Sequence, residues 1–266
     1  MFKGRFALVT GGVTGLGQEY VKQLLQNGIE GITIIDVNHN LGNEIEEKLM
    51  NEYGSDRVFF IYADVSKTDQ LKDAFDTSFK HWNGLDIVIN NAGMINEQDW
   101  NKTISLNCGG TVHGTYLGFE YMSKLRGGRG GVVVNISSIA GAENVFLIPT
   151  YSASKSFVLT FSRGLGNKYY YEMHDVKVLV VCPGLTITPM ASQIATSTYC
   201  TLSPGLDKTT EQFLTKVSVQ PASHVAKHVI ELIDVAQSGS AWIIEREEPP
   251  YQIYEQKKLV LRKKHC

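Results

Sequence analysis

The sequence predicts an α/β fold, a doubly wound parallel sheet of about seven strands with helices on both faces. Three observations carry this. Apolar runs rich in Val and Ile alternate with segments of helical periodicity. The first run opens into a glycine-rich turn and then a helix-like stretch, the order that a right-handed strand–helix–strand unit requires. No linker, repeat or low-complexity stretch divides the chain, so residues 1–256 are expected to form one domain.

The strand-like runs are 6–10, 31–36, 58–62, 86–90, 132–136, 176–182 and 241–245. Most are continuous rather than alternating, which fits strands covered on both faces. Helix-like segments lie near 16–28, 40–53, 68–82, 100–126, 150–173 and 222–237. Residues 185–220 are rich in Thr, Ser, Leu and Pro, with weak periodicity. They read as a segment covering a substrate, with one or two short helices. Residues 257–266 form a basic tail with Lys257, Lys258, Arg262, Lys263 and Lys264. A solvated end is preferred there over a contact with an anionic surface.

Composition excludes several classes. With 43% hydrophobic and 20% charged residues, wholesale disorder is ruled out. A net charge of −2 gives no field that would draw nucleic acid or an anionic membrane. Cys108, Cys182, Cys200 and Cys266 form no CxxC pair, which argues against a disulfide scaffold or structural zinc and for a reducing, cytoplasmic compartment. No apolar run approaches the ~20 residues of a spanning helix. A strand beginning at Phe6 leaves no room for a secretory leader, so the sequons at Asn101 and Asn135 read as chance matches. His224 and His228 are spaced i, i+4 without a third ligand. They read as a solvated helix face, and no metal is expected.

Chemistry enters at Thr10-Gly11-Gly12-Val13-Thr14-Gly15-Leu16-Gly17, between the first strand and the first helix. Glycine lets the chain turn sharply and lets backbone approach a pyrophosphate. The helix that follows, opening at Gly15, Leu16 and Gly17, directs free N–H groups and a positive dipole end at phosphate. Gly11–Gly15–Gly17 departs from GxGxxG spacing, so its position between strand and helix carries the weight. Asp36 ends the second strand, where it can accept hydrogen bonds from ribose hydroxyls and repel a 2′-phosphate. Neither Gly12 nor Val37 offers a compensating cation, which predicts NAD over NADP. The alternative is that Asp36 caps a turn. Asp64, beside Ala63 and Val65, suits either the adenine amino group or a turn.

Tyr151 and Lys155 are spaced i, i+4 and share a helix face. Ser138 follows the fifth strand in a short loop that can bring its hydroxyl beside the phenol. Asn107 sits inside a predicted helix, where Asn has poor propensity. Each alone is ordinary; together with the phosphate turn they form a constellation.

With Asn90-Asn91-Ala92-Gly93 and Pro183-Gly184 added, the set resembles the short-chain dehydrogenase/reductase family. The likeness runs over nearly the whole chain and weakens after about residue 190. Residues 90–100, 114–118 and 121–124 are most similar to the branch of the 15-hydroxyprostaglandin dehydrogenases and insect-type alcohol dehydrogenases. The resemblance implies a Rossmann-type fold and the following roles. Tyr151 is the general acid/base, and Lys155 lowers its pKa and holds the nicotinamide ribose. Ser138 orients the substrate oxygen, and Asn107 anchors a water chain. Asn91, Ala92 and Gly93 lie beside the cofactor. Pro183, Gly184, Thr186 and Thr188 meet its nicotinamide end.

Val145, Phe146, Ile148, Met190 and Ile194 are expected near the reacting carbon or in the core, and they suit a small lipophilic alcohol or ketone. Prostaglandin dehydrogenases of the resembled branch carry a glutamine where this chain has Ile148, which argues against prostaglandin itself. Gly110, Gly114 and Gly118 read as close helix packing. The resemblance implies a homodimer through that helix and the one bearing Tyr151. The expected activity is oxidation of an apolar secondary or long-chain alcohol with NAD. A carbonyl reductase and a silent NAD-binding protein are the rivals.

Overall fold

The computed structural model describes residues 2–196, 212, 215 and 217–254, so the basic tail, Cys200 and Cys266 lie outside the described residues. The elements run β1 (Phe6–Thr10), α1 (Gly15–Gln26), β2 (Gly31–Asp36), α2 (His39–Tyr53), β3 (Val58–Tyr62), α3 (Thr68–Trp82) and β4 (Ile87–Asn90). Next come α4 (Trp100–Ile104), a π-helical turn (Ser105–Gly110), α5 (Thr111–Met122), β5 (Gly131–Ile136), α6 (Ile139–Ala142), α7 (Pro149–Leu165) and α8 (Lys168–His174). The chain closes with β6 (Val176–Pro183), β7 (Thr186–Ile187), α9 (Pro189–Thr196), β8 (Gln220–Pro221), α10 (Ala222–Val235), β9 (Ala241–Ile244) and β10 (Tyr251–Ile253).

Among the described residues, eight strands form a sheet in the order β10-β9-β6-β5-β4-β1-β2-β3. Every pairing is parallel except β10 on β9. Strand side chains alternate between faces, and both faces are covered. Ala7, Val9, Ile32, Ile34, Ile87 and Ile89 pack against Leu24 of α1, Leu49 of α2 and Val229 of α10. Leu8, Val88, Val133 and Val178 face the other way, onto Leu71 and Phe75 of α3 and Leu117 and Met122 of α5. This two-sided burial is why the runs read as continuous.

The expected seven strands become eight because β10 joins the sheet. Its three residues, Tyr-Gln-Ile after a Pro-Pro pair, carry too short a pattern to register as a strand. Arg163 of α7 donates to the Ile253 carbonyl at 2.7 Å and ties this edge down. Two expected helices are broken. The 100–126 stretch widens into the π turn at Asn107, whose side chain is engaged outside the helix, and 150–173 divides at Gly166–Asn167. A Cβ at Gly166 would lie 2.3 Å from the Gly239 Cα, and Asn167 caps α8 by accepting from Tyr169 N at 2.9 Å. Within 185–220, β7 pairs with β8 and α9 is a short helix; residues 197–211 lie outside the described set.

Connections leave β1 toward β2 and β3 on one side and return to β4 on the other, so the order reverses between β1 and β4. Ligands of open α/β sheets bind outside the carboxyl ends of the strands at such a reversal.

Candidate active site

A cleft of about 810 Å³ opens at that reversal. Its wall is built from residues that end or follow successive strands: Gly11 and Thr14, Asp36 and Val37, Ala63–Val65, Asn91–Gly93, Ser137 and Ser138, and Pro183, Gly184, Leu185, Thr186 and Thr188.

The glycine turn forms the floor of one end. Gly11 and Gly15 adopt φ of +64° and +55°, the left-handed region in which a side chain is strained. Thr14 is the N-cap of α1 but supplies no side-chain cap, which leaves first-turn N–H groups available to an anion. Gly12 and Gly17, expected to touch the cofactor, instead lie behind the turn and do not line the cleft. A Cβ at Gly12 would sit 2.8 Å from Ile34 Cγ2, and one at Gly17 would sit 2.0 Å from the Gly11 carbonyl oxygen. Their lack of a side chain seats α1 and β2 against the turn. Asn91 locks it from the other side: its Nδ2 donates to the carbonyls of Thr10 and Gly11, both at 3.0 Å.

Asp36 lines the cleft and accepts from Val13 N at 3.3 Å and Asn38 N at 3.0 Å. It caps the turn, the alternative reading, and its carboxylate also faces the cavity. Asp64 is engaged more fully, accepting from the backbone and hydroxyl of Ser66 at 2.9 and 2.7 Å, which weights it toward the turn. Thr186 and Thr188 line the cleft, and a Cβ at Gly15 would lie 3.2 Å from the Thr188 methyl.

Tyr151 and Lys155 rise one turn apart on α7 and both are buried. Lys155 Nζ donates to the Ile136 carbonyl at 2.9 Å and lies 5.7 Å from the centre of the Tyr151 ring. Ser138 begins α6, accepting from Ala140 N at 3.1 Å. The α6 turn nests on α7: Ser137 Oγ donates to the Lys155 carbonyl at 2.7 Å, and a Cβ at Gly141 would lie 2.5 Å from the Lys155 carbonyl carbon. Ser138, Tyr151 and Lys155 therefore converge on one wall of the cleft.

Burial governs their protonation. It pushes the Tyr151 phenol up to about 12, against a downward pull from the Ser138 hydroxyl. It pushes Lys155 down to about 8. The downward pull on the phenol comes from Ser138 rather than from the expected lysine neighbour, and desolvation exceeds it.

Asn107 does not line the cleft. It is fully buried in the π turn, accepting from Met94 N at 2.9 Å and donating to the Met94 carbonyl and Ser154 Oγ, both at 3.0 Å. A Cβ at Gly93 would lie 3.3 Å from Lys155 Nζ and 3.4 Å from Asn107 Oδ1, so the two side chains flank one point. π turns of this kind recur at functional sites.

Val145, Ile148 and Met190 line the cleft, and Ile148 packs with Ile95, Ala140 and Tyr151. Phe146 does not: it is 61% exposed, because the chain alternates and sends Val145 and Leu147 inward. The Ile194 side chain lies outside the described residues. Sequence reasoning missed Ile95, Leu106, Ala140 and Leu147, which look like ordinary core residues until the topology gathers them.

A family model described as short chain dehydrogenase matches residues 5–198. This chain belongs to the short-chain dehydrogenase family. As a short-chain dehydrogenase it is 38% identical over 191 residues to the 15-hydroxyprostaglandin dehydrogenase [NAD(+)] of Rattus norvegicus, covering 72% of this chain and 71% of that protein. It is 28% identical over 241 residues to alcohol dehydrogenase 1 of Ceratitis cosyra, covering 90% and 91%. In solved structures its fold is similar to levodione reductase, with a TM-score of 0.78 at 22% identity over 92% of this chain and 97% of that one. A short chain dehydrogenase/reductase from Burkholderia phymatum in complex with NAD gives 0.74 at 20% identity, covering 87% and 86%.

Proposed function

We propose that this short-chain dehydrogenase oxidises an apolar secondary or long-chain alcohol to a carbonyl with NAD⁺, using Tyr151 as general base. The observation that carries the reading is the convergence of Ser138, Tyr151 and Lys155 on a cleft whose far end is the glycine turn and Asp36.

The residues fit the cofactor. The uncapped start of α1 and the positive-φ glycines would take the pyrophosphate, and Asp36 would take the adenosine ribose. Ala63, Val65 and Val37 would flank the adenine; Ala92, Gly93, Thr186 and Thr188 would flank the nicotinamide half. When bound, NAD⁺ accepts hydride and brings a positive charge into the cleft. The protein's part is position and proton management. Ser138 orients the alcohol oxygen toward the phenol, and Tyr151 takes its proton. Lys155 holds the ribose and opposes the burial that keeps the phenol protonated. Asn107, bound to Met94 and Ser154, connects this corner to a proton path. Ile148, Val145 and Met190 exclude water around the reacting carbon, and an aliphatic wall at Ile148 supports an apolar alcohol over a prostaglandin.

Burial of Tyr151 among Ile95, Ala140 and Ile148 favours a second reading, reduction of a ketone with NADH. A phenol held up to about 12 is protonated, the form that donates. A homodimer through α5 and α7 accompanies either direction, since Tyr116 and Phe157 are 54% and 44% exposed on those helices. Among the described residues no helix is long and apolar enough to cross a membrane, and Cys108 and Cys182 are free thiols, which suits a reducing cytoplasm.

The test is a panel of alcohols with NAD⁺ and ketones with NADH, followed by nicotinamide absorbance. Turnover of secondary alcohols by NAD⁺ is expected, and tight NAD binding without turnover across both panels would leave only a silent binding protein.

A further inference from the structure

We propose that Glu97 is a positioning residue that sets the height of Tyr151 in the cleft by capping α7 from a distant loop. The proposal rests on the dehydrogenase reading above.

A helix leaves its first N–H groups without partners, and Ser, Thr, Asp or Asn at the N-cap usually satisfies one. The α7 N-cap is Ile148, which has no side chain able to do this, and Pro149 follows it. The two backbone donors that remain, Thr150 and Tyr151, are both taken by Glu97. Its Oε2 accepts from Thr150 N at 2.9 Å and its Oε1 from Tyr151 N at 2.8 Å. A carboxylate there also meets the positive end of the helix dipole. The cap is thus bidentate and charged, and it binds the backbone of the residue that does the proton transfer.

The loop that delivers Glu97 is itself fixed at several points. Asn91 is tied to the glycine turn, and Met94 is tied to Asn107. Ile95 packs against Ile148 and Tyr151. Asn96 Oδ1 accepts from Gln98 N and Asp99 N, both at 3.0 Å. One short loop therefore lines the cleft with Asn91–Gly93 and, four residues later, holds the first turn of the helix that bears Tyr151. Small displacements of a reacting group are costly, with ~1 Å able to remove about 100-fold in rate. A glutamine keeps the size but offers one acceptor oxygen and turns an N–H₂ toward the second donor, so it should act partially.

The experiment compares wild type, Glu97→Gln and Glu97→Ala for alcohol turnover and NAD⁺ affinity, with Asn167→Ala, which uncaps the remote α8, as a stability control. We expect kcat to fall about 10-fold in Glu97→Gln and about 100-fold in Glu97→Ala. NAD⁺ affinity should stay within about twofold, and Asn167→Ala should lose melting temperature without losing kcat. The proposal is overturned if Glu97→Ala keeps kcat within about twofold of wild type, or if Asn167→Ala loses kcat in proportion to melting temperature. A wild type inert toward every alcohol and ketone would instead overturn the dehydrogenase reading, and this proposal with it.

Discussion

Lys155 bears an unusual burden for a lysine. It is 4% exposed, and the hydrogen bond to Ile136 does not offset the loss of water, so burial lowers its affinity for a proton to a pKa of about 8. The consequence for stability has a definite sign. Between pH 8 and 10.5 the native lysine is neutral while the unfolded one is still charged, so the unfolded chain binds more protons and stability rises with pH. Below pH 8 both states are charged and the full penalty, about 3 kcal/mol, is present. Lys155→Met removes this titration. Urea unfolding at pH 7.5 and pH 10 should therefore show wild type gaining on the variant by about 2–3 kcal/mol at the higher pH. Parallel behaviour of the two proteins would mean that the ammonium is better solvated than its burial implies. Tyr151 titrates higher and is present in both proteins, so it cancels from the comparison. The pairing of these two side chains was legible from spacing alone, because i, i+4 on a helix is a local relation. Glu97 was not legible: its partners lie 53 and 54 residues away, and no local pattern marks a carboxylate that caps another element's helix.

The α6 turn and α7 form one working unit. Gly141 is the contact that permits it, since any side chain there would enter the Lys155 carbonyl. Gly141→Ala should push α6 outward and carry Ser138 with it. The expected result is a fall in turnover of about 10- to 100-fold with NAD⁺ affinity retained, because the glycine turn lies on other strands. Steady-state kinetics beside NAD⁺ titration would check this, and unchanged kcat would show that the nesting does not set the serine. Regular elements were legible where their physics is local. The run 6–10 matches β1 because its alternate residues meet two different apolar layers. The π turn was not, because it is imposed by Asn107 bonding to Met94, outside its own helix. β10 likewise exists through its pairing with β9 and through Arg163, not through its own three residues.

Across the whole molecule, sheet order decides where the site lies. Strand ends that are far apart in sequence meet at the β1/β4 reversal, so residues as separate as Gly11 and Thr188 line one cleft. The topology was legible because parallel strands need helical crossovers of one hand. The apolar wall was only half legible, because an inward Leu147 and an outward Phe146 cannot be told apart before the chain's direction is known. Outside the cleft, α5 and α7 expose an aromatic cluster in which Tyr116 meets Phe161 edge-on and Phe157 stacks on Phe161. If this face joins two copies, Tyr116→Asp with Phe157→Asp should shift light-scattering mass from dimer to monomer. A wild type already monomeric at micromolar concentration would remove the dimer.

In the proposed reaction the Tyr151 phenol is the group that takes the substrate proton. The most direct measurement is NADH formation from an apolar secondary alcohol such as 2-octanol by wild type and Tyr151→Phe, with NAD⁺ affinity measured on both. Loss of the hydroxyl should lower kcat/KM by about 1,000-fold or more while NAD⁺ affinity changes less than about twofold. A phenylalanine variant that keeps turnover within about tenfold of wild type would contradict it.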